Sequence, residues 1–317
     1  MKRRIALTLV FALLVALVTG CGGETEPSDT DTESKPTITI GSKIDTEGEL
    51  LATVSQLVLE DAGYTVVDKS QTGTTDVVRK ALLTGEIDMY PEYTGSGLIF
   101  FEGQDPETYK DPQEGYETVR ELDLEQNDIV WLEPAKANNT WLIATRQDFA
   151  EENDLATMSD FAEFVDGGGE VKLAASDEFF TNPDAFPAFA STYGITLTDD
   201  QKVILAGGNT AQTEKAAADG VDGVNFAMAY GTDGALADLG LVVLEDDKGA
   251  QLVYWPTPII RKAVLDASPE IEDVLAPVFS SLDIQTLQEL NARIQVNGES
   301  AEAVARDYLE SGGFIGE

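Results

Sequence analysis

Apolar positions along this 317-residue chain fall into three regimes. Residues 5–18 form one unbroken run of apolar or small side chains behind the basic start Met1-Lys2-Arg3-Arg4. Residues 22–36 hold almost no apolar side chain. From Thr37 onward, short alternating stretches take turns with longer ones of helical period, which is the pattern of an α/β fold. Residues 37–40 alternate as a strand does, and 47–62 carry helical period up to Gly63, a residue free to end a helix at positive φ. The same reasoning predicts strands at 64–68, 87–90, 129–132, 141–145 and 171–174, and helices at 75–83, 114–122, 158–165 and 185–193. The stretch 269–309 reads as mostly helical, with amphipathic runs at 286–295 and 301–309.

One unit occurs twice. Lys80-Ala81-Leu82-Leu83-Thr84-Gly85-Glu86-Ile87-Asp88 leads to Tyr93-Thr94-Gly95, and Lys215-Ala216-Ala217-Ala218-Asp219-Gly220-Val221-Asp222 leads to Tyr230-Gly231-Thr232. Each is a helix, a glycine stop, a short strand and a tyrosine at the strand's carboxyl end. Open α/β sheets bind ligands outside such ends, so two copies suggest two lobes, each presenting a tyrosine at its rim. Helix–glycine–strand units also recur in α/β proteins with no functional meaning.

The ends and the composition narrow the class. A membrane-spanning helix needs ~20 apolar residues, so 5–18 is short for a permanent anchor and reads as an export signal. It runs into Val18-Thr19-Gly20-Cys21, which resembles the lipobox of bacterial and some archaeal lipoproteins; the resemblance implies cleavage after residue 20 and a diacylglyceryl group on Cys21. Cys21 is the only cysteine, so no disulfide forms within the chain. Residues 22–36 are too polar to repay the cost of ordering and read as a tether. The formal charge is −38, and loss of Lys2, Arg3 and Arg4 with the signal takes the chain to −41. Nucleic acid is thereby excluded as a partner, since it demands a basic face. The acids are spread throughout, as in Asp199-Asp200 and Glu245-Asp246-Asp247, which favours adaptation to strong salt over a field that steers a ligand. There is no histidine. Triads with a His base and HExxH zinc sites are impossible, and no P-loop, dinucleotide-binding or G-x-S-x-G motif occurs.

Several segments carry a family resemblance. Gly41-Ser42-Lys43, Gly85-Glu86-Ile87-Asp88-Met89-Tyr90-Pro91-Glu92-Tyr93-Thr94-Gly95, Asn138-Asn139-Thr140, Thr232-Asp233-Gly234, Val243-Leu244-Glu245-Asp246-Asp247-Lys248 and Leu287-Gln288-Glu289-Leu290-Asn291 resemble the glycine betaine/choline-type binding proteins of osmoprotectant ABC importers. The likeness runs in order from about 37 to 309, and Tyr-Pro-Glu-Tyr-Thr-Gly is its most distinctive part. It implies an α/β, two-lobed periplasmic-binding-protein fold (a type II-like "Venus flytrap"). The first lobe would take 37–137 and return for 238–317, with the second at 138–237. It also implies a monomeric carrier that works with an importer's permease subunits and has no catalytic residue, cofactor or metal.

The family cages a trimethylammonium head with four aromatics, which by motif fall on Tyr93, Trp141, Tyr230 and Tyr254. The physics agrees: a quaternary ammonium has no N–H to donate, whereas aromatic faces offer negative quadrupole and apolar contact, ~0.5–2 kcal/mol per ring when desolvated. Read singly, Trp141 and Tyr254 each sit in apolar, strand-like stretches and could equally be core packing. For the anion end, the resemblance implies Lys43, with Ser96 in place of a threonine and Asn182 at the position of an arginine; a usual glutamine is Gly48 here. Losing a guanidinium weakens carboxylate recognition and makes choline more credible beside glycine betaine, though Lys43 also reads as a solvated surface lysine. Three rivals stand: the same fold binding an amino acid or other polar solute, a sensor lipoprotein, and a secreted hydrolase using a carboxylate pair such as Glu92 and Asp233.

Overall fold

The computed structural model describes residues 35–205 and 210–316. The basic start, the apolar run, Cys21 and nearly all of the tether lie outside the described residues. Lys35 is already packed, its ammonium 3.3 Å from Glu270 and above the Tyr64 ring.

Among the described residues, ten strands build two five-stranded sheets. The first holds β1 (Thr37–Lys43), β2 (Thr65–Gly73), β3 (Met89–Tyr93), β4 (Ile129–Trp131) and β10 (Pro256–Arg261), in the order β2-β1-β3-β10-β4. The second holds β5 (Trp141–Arg146), β6 (Leu173–Ala175), β7 (Lys202–Ile204), β8 (Phe226–Tyr230) and β9 (Leu241–Val243), in the order β7-β6-β8-β5-β9. The two share one plan. In each, a central strand runs parallel to two neighbours, and the next strand along is antiparallel. The twofold unit seen in the sequence therefore occupies equivalent places, with β3 and β8 as counterparts and their tyrosines at matching carboxyl ends.

Helices cover both faces of each sheet, as parallel strands require. On one face of the first sheet pack Thr46–Asp61, Glu270–Ser281, Ile284–Gln295 and Ala301–Ser311, burying Leu50, Leu51, Val54, Leu275, Leu287 and Val304 against Ile38, Ile40 and Met89. The other face takes Thr75–Thr84 and Pro112–Asn127 through Val78, Leu82, Tyr116 and Val119. There the buried Arg79 guanidinium donates to both carboxylate oxygens of Asp123 (2.8 and 2.5 Å), which also accept from the Trp131 indole and the Asn127 amide. The second sheet is walled by the phenylalanine-rich helices Met158–Asp166 and Phe186–Tyr193 on one side and by Thr210–Asp219 on the other.

Three expectations shift. The third strand begins two residues later than 87, because the Gly85 C-cap and the bond from Asp88 N–H to the Thr39 carbonyl take up the intervening chain. Residues 251–255 are not part of a strand: Tyr254 N–H donates to Asn138 Oδ1 and Trp255 N–H to Thr94 Oγ1, so side chains replace the ladder until β10 starts at Pro256. The return to the first sheet also comes later than 238, since β9 pairs with β5 and Leu244 and Ala250 belong to the second core.

Candidate functional site

A cavity of about 550 Å³ opens where the carboxyl ends of β3 and β8 face each other's lobe. Four aromatic residues line it, and the shared plan of the sheets explains why. Tyr93 ends β3 and Tyr230 ends β8. Trp141 opens β5 directly opposite Tyr230 in the antiparallel register, and Tyr254 lies just ahead of Pro256, which pairs with Tyr93. Each lobe thus offers two rings from neighbouring strand ends. The Trp141 and Tyr230 rings stack, with centroids 6.1 Å apart and planes 27° from parallel, and the indole N–H donates to the Tyr230 hydroxyl (2.9 Å). Tyr254 packs against Gly95, where a Cβ would stand 2.6 Å from its ring. That contact explains the glycine of Tyr93-Thr94-Gly95.

The residues expected at the anion end divide. Lys43 and Ser96 line the cavity. Both donate to the same buried carboxylate: Glu92 Oε1 accepts from Lys43 Nζ at 2.5 Å and from the Ser96 hydroxyl at 2.9 Å, and also from Tyr93 N–H. Its other oxygen accepts from Tyr90. Lys43 Nζ also sits 4.7 Å from the centroid of the Tyr93 ring. Asn182 is not among the residues lining the cavity. It closes the short helix Asp177–Thr181, and its Oδ1 accepts from Asp184 N–H, tying the side chain into its own turn.

Sequence reasoning missed the acids Glu47 and Glu214 at the cavity and named Asp233 only as half of a hydrolytic pair. Glu47, in the first turn of Thr46–Asp61, is 5 % exposed and is the acceptor for Tyr93 Oη (2.8 Å), Asn139 Nδ2 (3.0 Å) and Asn291 Nδ2 (2.8 Å), with the Thr232 hydroxyl a further partner. Burial, aided by nearby Asp45, outweighs these bonds and raises its pKa to about 7. Asp233 accepts from Tyr230 N–H (2.6 Å) and shares a proton with Glu214 behind it. Burial and then the Asp233 charge push Glu214 up to about 10, so Glu214 keeps the proton and donates it to Asp233. Burial likewise raises Tyr230 to about 12 and Tyr93 well above the usual phenol range. Asn138, Asn139, Thr232, Asp233 and Asn291 all lie in segments of the family resemblance, which was the available signal. Nothing in the sequence around Glu47 marks a buried acid.

The segment around 138–140, which crosses from the first sheet to the second, runs backbone against backbone with the turn 231–234 that follows β8, and any side chain at Gly231 would collide with the Asn138 carbonyl oxygen. Through Asn139 and Thr232, Glu47 touches both the crossing and the turn.

Residues 36–311 match the family model described as the substrate-binding domain of ABC-type glycine betaine transport systems. The chain is 52 % identical over 277 residues to the glycine betaine-binding protein YehZ of Escherichia coli, covering 87 % of this chain and 91 % of that one. It is 32 % identical over 281 residues to a glycine-betaine-binding protein of Pseudomonas aeruginosa (86 % and 87 % covered). The solved structure of apo YehZ from Escherichia coli superposes with a TM-score of 0.78 over 88 % of this chain and 99 % of that one. The two-sheet α/β architecture, the cavity between strand ends and these likenesses agree: the chain belongs to the family of substrate-binding domains of ABC-type glycine betaine transport systems.

Proposed function

We propose that this protein captures a quaternary-ammonium osmolyte of the glycine betaine or choline type outside the cytoplasm and passes it, chemically unchanged, to the permease of an ABC importer. The observation that carries the reading is the ring set: Tyr93 and Tyr254 from the first lobe and Trp141 and Tyr230 from the second border one cavity. A quaternary ammonium needs apolar, electron-rich faces and no hydrogen-bond acceptor. The glycine betaine named for the relatives supports the same class. Lys43 and Ser96 form the anion end, where the Lys43 ammonium keeps N–H donors for a ligand carboxylate beyond the one it gives Glu92, while Asn182 takes no part. The first lobe comprises 37–137 and 251–316 and the second 138–250, and ligand favours the closed arrangement because only that arrangement joins both ring pairs. Lipid on Cys21 and the tether of residues 22–36 hold the carrier at the membrane.

The test is titration of the protein in molar salt with glycine betaine, choline, carnitine and proline, reading tryptophan fluorescence and heat together. Saturable binding of trimethylammonium compounds, none of proline, and recovery of unaltered ligand by mass spectrometry are expected. Binding of proline with silence from every quaternary amine overturns the reading.

A further inference from the structure

The ring cage leaves Glu47 without a role, although it is the most heavily hydrogen-bonded acid lining the cavity. The charge balance around it is lopsided. Among the described residues lining the cavity, Lys43 is the one basic side chain, and its ammonium already sits against Glu92. Asp45, Glu47 and Asp233 line the same space. Asn139 Oδ1 and Asn291 Oδ1 are buried acceptors with no protein partner, and both residues line the cavity while their amide nitrogens donate to Glu47. A cavity with unpartnered buried acceptors, and with its basic side chain already paired, suits a cation. Glu47 is also fixed against the tip of a cage ring, since the Tyr93 hydroxyl donates to it at 2.8 Å.

We propose that Glu47 is the counter-charge of the site, a carboxylate that pairs with the cationic head the four rings enclose. The assignment rests on the cage reading of the previous subsection and adds a charged partner to it. Its consequence is a proton. With its carboxyl titrating at about 7, Glu47 is about half protonated in the empty protein at neutral pH. A cation alongside favours the charged form, so binding drives that proton into solution. The titratable groups facing it are Asp45 on its own helix cap, Lys43 on β1, Tyr93 on β3, and Asp233 with Glu214 in the second lobe. Tyr93 and Glu214 hold their protons far above neutrality and contribute nothing there.

The test is calorimetric titration of the full protein with glycine betaine and with choline, at about pH 7, in two buffers of different ionisation enthalpy. Release of about half a proton per ligand, and affinity that rises from about pH 6 to 8, are expected. Glu47→Gln keeps the shape and removes the charge: release should vanish and affinity fall about tenfold. Glu47→Asp should restore release. Ligand binding with no buffer dependence in the unaltered protein overturns the counter-charge and leaves the cage standing, and that result needs no variant to fold. Binding by Glu47→Gln equal to the unaltered protein does the same. Failure of both ligands to bind overturns the cage, and the counter-charge with it.

Discussion

Replacing Trp141 separates a ligand ring from a core ring. In the structure the indole makes three interactions that a smaller residue loses: the stacked pair with Tyr230, an edge contact with Phe179 at 6.5 Å, and the hydrogen bond to the Tyr230 hydroxyl. A ring facing a desolvated cation is worth ~0.5–2 kcal/mol, and a neutral hydrogen bond that fixes a second ring adds ~1 kcal/mol. Trp141→Ala should therefore cost about 1.5–3 kcal/mol of ligand binding, roughly 10- to 150-fold in Kd. Trp141→Phe keeps a ring against Tyr230 and loses only the N–H, so about 1 kcal/mol, or roughly fivefold, is expected. Calorimetric titration of glycine betaine in molar salt measures both, with thermal melting to verify that each variant is folded. Binding by a folded Trp141→Ala within about threefold of the unaltered protein would mean that the indole only packs on Phe179. Equal losses in the two variants would mean that the hydrogen bond, and not the ring, supplies the effect.

Three other outcomes test the physical reading. Asp123→Asn strands the buried Arg79 guanidinium without its carboxylate, which should cost about 3–5 kcal/mol of folding free energy; a shift in denaturant midpoint worth under about 1 kcal/mol would contradict it. Glu214, whose carboxyl is raised to about 10 in the folded protein, contributes stability that is fully present below the ordinary carboxylate pKa and is lost as pH rises through about 10. Glu214→Gln should flatten the decline that runs from the ordinary carboxylate pKa up to about pH 10, and identical pH–stability curves for the two proteins would refute the shared proton. With a formal charge of −38, the melting temperature should climb between about 0.1 and 2 M salt as screening shortens from about 10 Å to below 3 Å, and a salt-independent value would count against halophilic adaptation.

That the four rings would border one cavity was legible because each position follows from local pattern plus motif. Tyr93 and Tyr230 end strands that a glycine-stopped helix announces, and Trp141 opens an apolar run. Tyr254 borders the cavity despite a wrong local reading, for the Tyr254 and Trp255 N–H groups bond to the side chains of Asn138 and Thr94, partners far away in the chain. Glu47 was illegible for a similar reason. An acid in the first turn of a helix ordinarily faces water and the helix dipole, and only the approach of Asn139, Thr232 and Asn291 buries it. Glu214, beside Lys215 on an amphipathic helix, reads as solvated until β8 brings Asp233 against it. The short strands β7 and β9 carry three residues each, too few for a period to declare itself.

The rings that border the cavity stand at the ends of strands drawn from distant parts of the chain and from both sheets. A molecule seated among them selects chains in which both halves are complete, and stabilises that state by ~2.7 kcal/mol once it exceeds its Kd a hundredfold. On the proposed function, cargo thus acts as a folding aid for its own carrier. Where the solute is plentiful the receptor resists unfolding and proteolysis, and where it is scarce the empty receptor is the first to be cleared.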